Sequence, residues 1–239
     1  MDSPIYLLTQ IGFVLVTIVF FYLLMMEIKK GLSKSTLDID RQKKIFNRTV
    51  SGLIIWTLFV SIWSLSGKMQ DFSVFPFNFM PVLVIPLITI LVITFSKTFA
   101  EIVIHIPPQN LIRLQSFRIF VEILLWALFI RNLAPVQMTF EGRNFDILSG
   151  ITAIVVAYLV AKNSISKTVL VVWNIACLGI LINIVSIAIL SMPTPFRVFM
   201  NEPVNTIVAQ FPISLLPGLL VPLAYALHFF SIRQIALRK

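Results

Sequence analysis

One cysteine and two histidines are all that this chain of 239 residues has of the side chains that most often hold metals or carry redox chemistry. Cys177 alone excludes an intrachain disulfide. A membrane metal hydrolase needs several histidine and acidic ligands, which His105 and His228 do not supply. The chain has no CxxC pair, no glycine-rich phosphate loop and no nucleophile elbow. Its last apolar run has no lysine, which excludes a retinal Schiff base. No metal and no cofactor are expected, and an enzyme is the least favoured class of function.

Charge is scarce as well. Charged residues make up 12% of the chain and apolar residues 58%, against about 25% and roughly 45–50% in a soluble domain. Apolar runs of this length need charged outer faces to stay in water, and those faces are missing. The expected class is an all-α, polytopic membrane protein in a single domain, 1–239. The net charge of +9 does not point to nucleic acid, because the bases lie between apolar runs rather than in one patch with stacking aromatics. The expected partners are the lipid bilayer and, at its inner face, anionic lipids. Nothing in the sequence specifies a protein partner or a second copy.

Seven apolar runs are expected to span, at about 5–26, 49–65, 80–106, 111–134, 145–161, 168–190 and 213–230. The first follows only Asp2 and has neither a basic leader nor a small-residue cleavage site, so it reads as a retained helix. Residues 27–48 form the most basic segment, with Lys29, Lys30, Lys34, Arg41, Lys43, Lys44 and Arg48. With this segment inside, fifteen of the nineteen Lys and Arg fall in inner segments. Only Lys68, Arg131, Arg143 and Arg197 fall outside. That bias predicts the N-terminus out and the C-terminus in.

The candidate site is a charged hairpin around Pro107-Pro108. Lys97, Glu101 and His105 recur every four residues and share one helical face, as do Gln115, Arg118 and Glu122. Folding the chain back between Gln109 and Asn110 would set Glu101 level with Arg118, and Lys97 level with Glu122. The two levels would lie roughly 13 and 19 Å from the turn. A lone charge at the bilayer centre costs roughly 2.5–3.5 kcal/mol on insertion scales, so such charges are expected to pair and face the bundle interior. The competing arrangement lays 97–110 flat on the inner surface, with its charges among the headgroups.

A second cluster is expected at the outer side: Arg131, Glu141, Arg143, Asn144, Asp146, Arg197 and Glu202. It reads either as caps and surface ion pairs or as a mouth for a small polar ligand. In the last span, Pro217, Gly218 and Pro222 free backbone carbonyls, and Tyr225 and His228 follow at i, i+3. This predicts a kink, which serves packing or a gate.

The segments 138–146 (Met-Thr-Phe-Glu-Gly-Arg-Asn-Phe-Asp) and 211–228 resemble segments of a family of small, uncharacterised bacterial multi-pass membrane proteins. The resemblance implies a bacterial cytoplasmic (inner) membrane protein and supplies no activity. The residues favour a small-molecule or ion carrier, proton-linked through Glu122 with Arg118, Lys97 and Glu101. The alternative is a non-transporting binding, sensor or assembly subunit.

Overall fold

The computed structural model describes residues 4–238; Asp2 and Lys239, which enter the charge count above, lie outside them. Every regular element among the described residues is helical. Helices α1 (Pro4–Ser33) and α2 (Ile39–Leu65) are joined by the turn at 34–38. Asp38 sets the start of α2, its carboxylate accepting the Arg41 N–H at 2.8 Å. The basic stretch 41–48 is therefore the opening of a helix rather than a loop, and α2 begins ten residues before the expected 49.

The expected third run breaks. Helix α3 (Met80–Phe95) stops at Ser96, whose hydroxyl caps helix α4 (Lys97–Val103) by accepting the Phe99 N–H at 3.1 Å. The two helices bend by 76° there. Helix α5 (Pro108–Leu114) starts on a proline, whose missing N–H costs nothing at that position. A turn at Gln115-Ser116 separates it from helix α6 (Phe117–Phe129). The fourth expected run is thus two short helices. Its last helix ends at Phe129, five residues before the expected Ala134, and the chain then turns through Asn132, which takes a left-handed φ of 54°.

Helices α7 (Asp146–Ala161) and α8 (Lys167–Leu190) follow, and Ser166 caps α8 through the Val169 N–H. The strap 191–212 tucks inward: Asn205 donates its N–H to the Ser191 carbonyl at 3.0 Å, and Ser64 donates to the Ala209 carbonyl at 2.7 Å. A π-helical turn, Leu216–Leu220, leads into helix α9 (Val221–Leu237).

Four of these helices are long and apolar enough to cross a membrane: Pro4–Ser33, Ile39–Leu65, Lys167–Leu190 and Leu216–Leu237. The bent pair α3–α4 makes a fifth if it counts as one broken span. This differs from the seven expected spans because α6 and α7, at 13 and 16 residues, fall short of the roughly 20 that a straight crossing needs.

The core gathers around α9 and the π turn, where Leu220, Leu223, Ala224 and Leu227 are buried in one cluster with Phe13 of α1 and Val121 and Leu125 of α6. In a bilayer, whose lipid is as apolar as these side chains, close packing and interior hydrogen bonds, rather than exclusion of water, would hold such helices together. The N-terminal helices differ in attachment. Helix α2 buries only Val60 and Ser64 and leaves Ile54, Ile55, Leu58 and Ile62 more than half exposed.

At the other end of the bundle, α9 clamps the unwound turn after α4. The Gln234 amide donates to the carbonyls of Val103 and Ile106, and Arg238 donates to those of Ile104 and Ile106.

Candidate functional site

Arg118 and Glu122 stand one turn apart on α6, and each is 1% exposed. Opposite them runs the end of the loop 130–145, which folds back along α6 before α7 begins. Trp126 donates to the Glu141 carboxylate and stacks on Phe140, ring centroids 6.0 Å apart. That staple delivers Asn144 to Glu122. The Asn144 amide donates to both Glu122 oxygens, at 2.7 and 2.8 Å, and to the Met138 carbonyl at 3.0 Å. Its own side-chain oxygen accepts the Asp146 N–H at 3.0 Å, a local turn that ends the loop and launches α7.

Asp146 Oδ1 lies 3.1 Å from Arg118 Nη1. The contact is ionic in distance, but its angle falls outside hydrogen-bond geometry. Asp146 Oδ1 and all three guanidinium nitrogens therefore lack hydrogen-bond partners. Gly150 permits the approach: a Cβ there would stand 2.8 Å from Ile119 Cγ1 and 2.9 Å from the Ile119 backbone nitrogen. Only a glycine lets α7 rest directly on the start of α6 at this point.

The charges do not balance. One guanidinium faces two carboxylates, and Glu122 has no cationic nitrogen within 4 Å among the described residues. Both Glu122 oxygens act as acceptors from a neutral amide.

A cavity opens beside them. It offers about 60 Å³ to the centres of water-sized molecules, several times the roughly 10–15 Å³ that one water needs. Glu122, Asn144 and Asp146 are the polar residues of its wall. The rest is apolar and includes Phe79, Leu83, Leu125, Leu181 and Met192. Arg118 stands behind the carboxylates and does not line it.

The π turn, through Leu216 and Pro217, and the first residue of α9, Val221, form one side of this cavity. The turn's Gly218 carbonyl accepts from the Trp56 indole at 2.8 Å, and a Cβ on Gly218 would meet Val60 at 2.8 Å. Pro217 and Pro222 are both buried. π turns of this kind recur at functional sites.

Beyond Arg118 the polar thread continues. Gln115 donates to the Ala224 carbonyl at 3.3 Å. His228 Nδ1 sits 2.9 Å from Asn174 Oδ1, and the Asn174 amide donates to Ser231 at 3.1 Å. His228 Nε2 and Ser149 Oγ are buried without partners. Tyr225 is half-buried and stacks on Phe229.

The expected level-by-level hairpin does not form. Lys97 is exposed, His105 is half-buried, and Glu101 accepts from the Thr36 backbone N–H at 2.9 Å and from its hydroxyl. The physical reason lies in the breaks. The Ser96 cap turns α4 away, so no straight helix carries Lys97 and Glu101 down beside Arg118 and Glu122. The hairpin that does form is one element later, with α5 and α6 against α7 and its leading loop.

The expected outer cluster also divides. Asn144 and Asp146 move inward to join Arg118 and Glu122. Arg131, Glu141 and Arg143 are exposed, with the Arg143 guanidinium 5.3 Å from the Phe199 ring centre. Arg197 pairs with Glu202 at 3.1 Å and with the carbonyls of Phe199 and Asn201, a surface arrangement of the strap. No group of three or more His, Cys, Asp or Glu among the described residues could hold a metal ion. The apolar cavity wall had no sequence signal. Asn144-x-Asp146 did have one, but it also fits a surface cap.

Residues 74–236, which contain every polar side chain of this site, match a family model described as a domain of unknown function, DUF8737. The chain belongs to that family. Helices α1 and α2 lie outside the DUF8737 match, so the Trp56 staple joins an element outside it to the π turn within it. No curated protein and no solved structure matches the chain.

Proposed function

We infer that this chain is a multi-pass protein of a bacterial cytoplasmic membrane that carries a small molecule or ion, with Glu122 as the binding group and proton exchange on that carboxylate as the coupling step. The observation that carries this reading is a buried carboxylate without a cation, set in the wall of a cavity inside an apolar helical bundle. Ionisable groups at membrane depth are costly and mark substrate or proton paths. Asp146 stands sixteen residues from Lys162, roughly 24 Å of helix at 1.5 Å per residue, so with Lys162 at the inner boundary of a hydrocarbon layer of about 30 Å it would lie inside the layer, about 6 Å below the outer boundary. The basic bias of the connecting segments supports the N-terminus outside and the C-terminus inside.

A proton and a ligand would compete for Glu122 under the charges around it: Arg118 on the same helix and Asp146 from α7, with Tyr225 and His228 of α9 and Cys177 of α8 near Arg118. The test is proton flux in proteoliposomes carrying an internal pH dye. Substrate-dependent proton movement is expected in the wild type and in exposed-residue variant Lys97→Gln, and at least a tenfold loss in Glu122→Gln.

A non-transporting assembly subunit is the second reading, favoured by the wide apolar face of α2, which a partner helix could cover as well as lipid. Absence of flux across broad solute pools, together with stable co-purification of one partner, would overturn the carrier in favour of that subunit.

A further inference from the structure

We propose that the cavity takes a compact organic cation with an apolar body, such as a quaternary or alkyl ammonium. The inference deepens the reading above and rests on the cavity being the ligand site.

Three observations carry it. The wall has one polar end, and its groups there are two carboxylates and an amide, while the guanidinium is behind them. Glu122 accepts from a neutral donor only, and Asp146, which is 7% exposed, lines the cavity while its Oδ1 lies 3.1 Å from Arg118 Nη1 without a hydrogen-bond partner. The remaining wall is hydrocarbon and aromatic, including Phe79, whose ring face can add attraction for a cation.

Each alternative class lacks something the wall would have to provide. Calcium takes six to eight oxygens and magnesium a near-ideal octahedron. Here the Asn144 oxygen is already engaged by the Asp146 N–H, and the other walls offer no oxygen side chain. An anion would meet the carboxylates before it met Arg118. A neutral hydrocarbon would fill the apolar end and leave Glu122 uncompensated. An organic cation matches both ends and loses little hydration on entry, because its charge is spread over alkyl groups.

The experiment uses the full chain in lipid nanodiscs. Calorimetric titration compares benzyltrimethylammonium with neopentylbenzene, its neutral isostere, and with benzenesulfonate. The cation is expected to bind at least tenfold more tightly than either, and Glu122→Gln is expected to lose that preference. In the wild-type protein, benzyltrimethylammonium should also protect Glu122 from labelling by dicyclohexylcarbodiimide, and neopentylbenzene should not. That second readout stands even if the variant fails to fold.

Equal binding of cation and neutral isostere, or labelling of Glu122 that the cation leaves unchanged, would overturn the proposal. Selective cation binding without any flux would retain the site and remove the carrier reading. Proton-coupled flux of another solute without cation binding would do the reverse.

Discussion

Replacing Arg118 with methionine tests the buried site most directly. The side chain is 1% exposed and its Nη1 lies 3.1 Å from Asp146 Oδ1. At that separation and an effective dielectric of about 20, the attraction is roughly 5 kcal/mol. The variant removes the cation and strands two carboxylates in the interior. Breaking a buried pair from one side costs about 3–5 kcal/mol. Replacing both partners, as in Arg118→Met with Asp146→Asn, leaves no ionised aspartate behind and should cost much less than the two single changes added together. Unfolding by denaturant in mixed micelles measures all three proteins. A coupling above roughly 1 kcal/mol is expected, since partners in one ionic cluster do not add independently. Additive effects within about 0.5 kcal/mol, or an Arg118→Met protein as stable as wild type, would refute the account of this cluster.

Three further substitutions probe the frame around the site. Gly150→Val places atoms against the Ile119 backbone, which cannot yield, and should destabilise by about 1–3 kcal/mol in the same assay. Gly179→Ala, with nothing within 4 Å of its added Cβ, should be neutral or gain up to about 1 kcal/mol. Gln234→Leu removes the donor shared by the Val103 and Ile106 carbonyls. Hydrogen exchange followed by mass spectrometry should then show faster exchange across 103–107, with α8 unaffected.

The helical class of the chain was readable from composition alone, because a chain this poor in charge and rich in apolar runs has few other ways to satisfy its backbone. The turns were less readable. Ser96 and Asp38 are ordinary polar residues inside or beside apolar stretches, yet each caps a helix and redirects the chain. Those two caps move α2 earlier and bend α3 from α4, and the bend is what separates Lys97 and Glu101 from the buried charges.

The inward fate of Arg118 and Glu122 followed from the cost of charge in lipid. The identity of their partners did not, because it depends on how far the loop 130–145 doubles back. That distance is set by the Trp126–Glu141 staple and by the close approach at Gly150, neither of which has a periodic signature.

All four side chains of the ionic cluster come from residues 118–146, a single helix, loop and helix opening. During synthesis this stretch emerges before α8, the π turn and α9. Arg118 can therefore meet its counter-ion within one hairpin, before the rest of the bundle is made. The later helices then add most of the hydrocarbon wall around a polar centre that is already assembled.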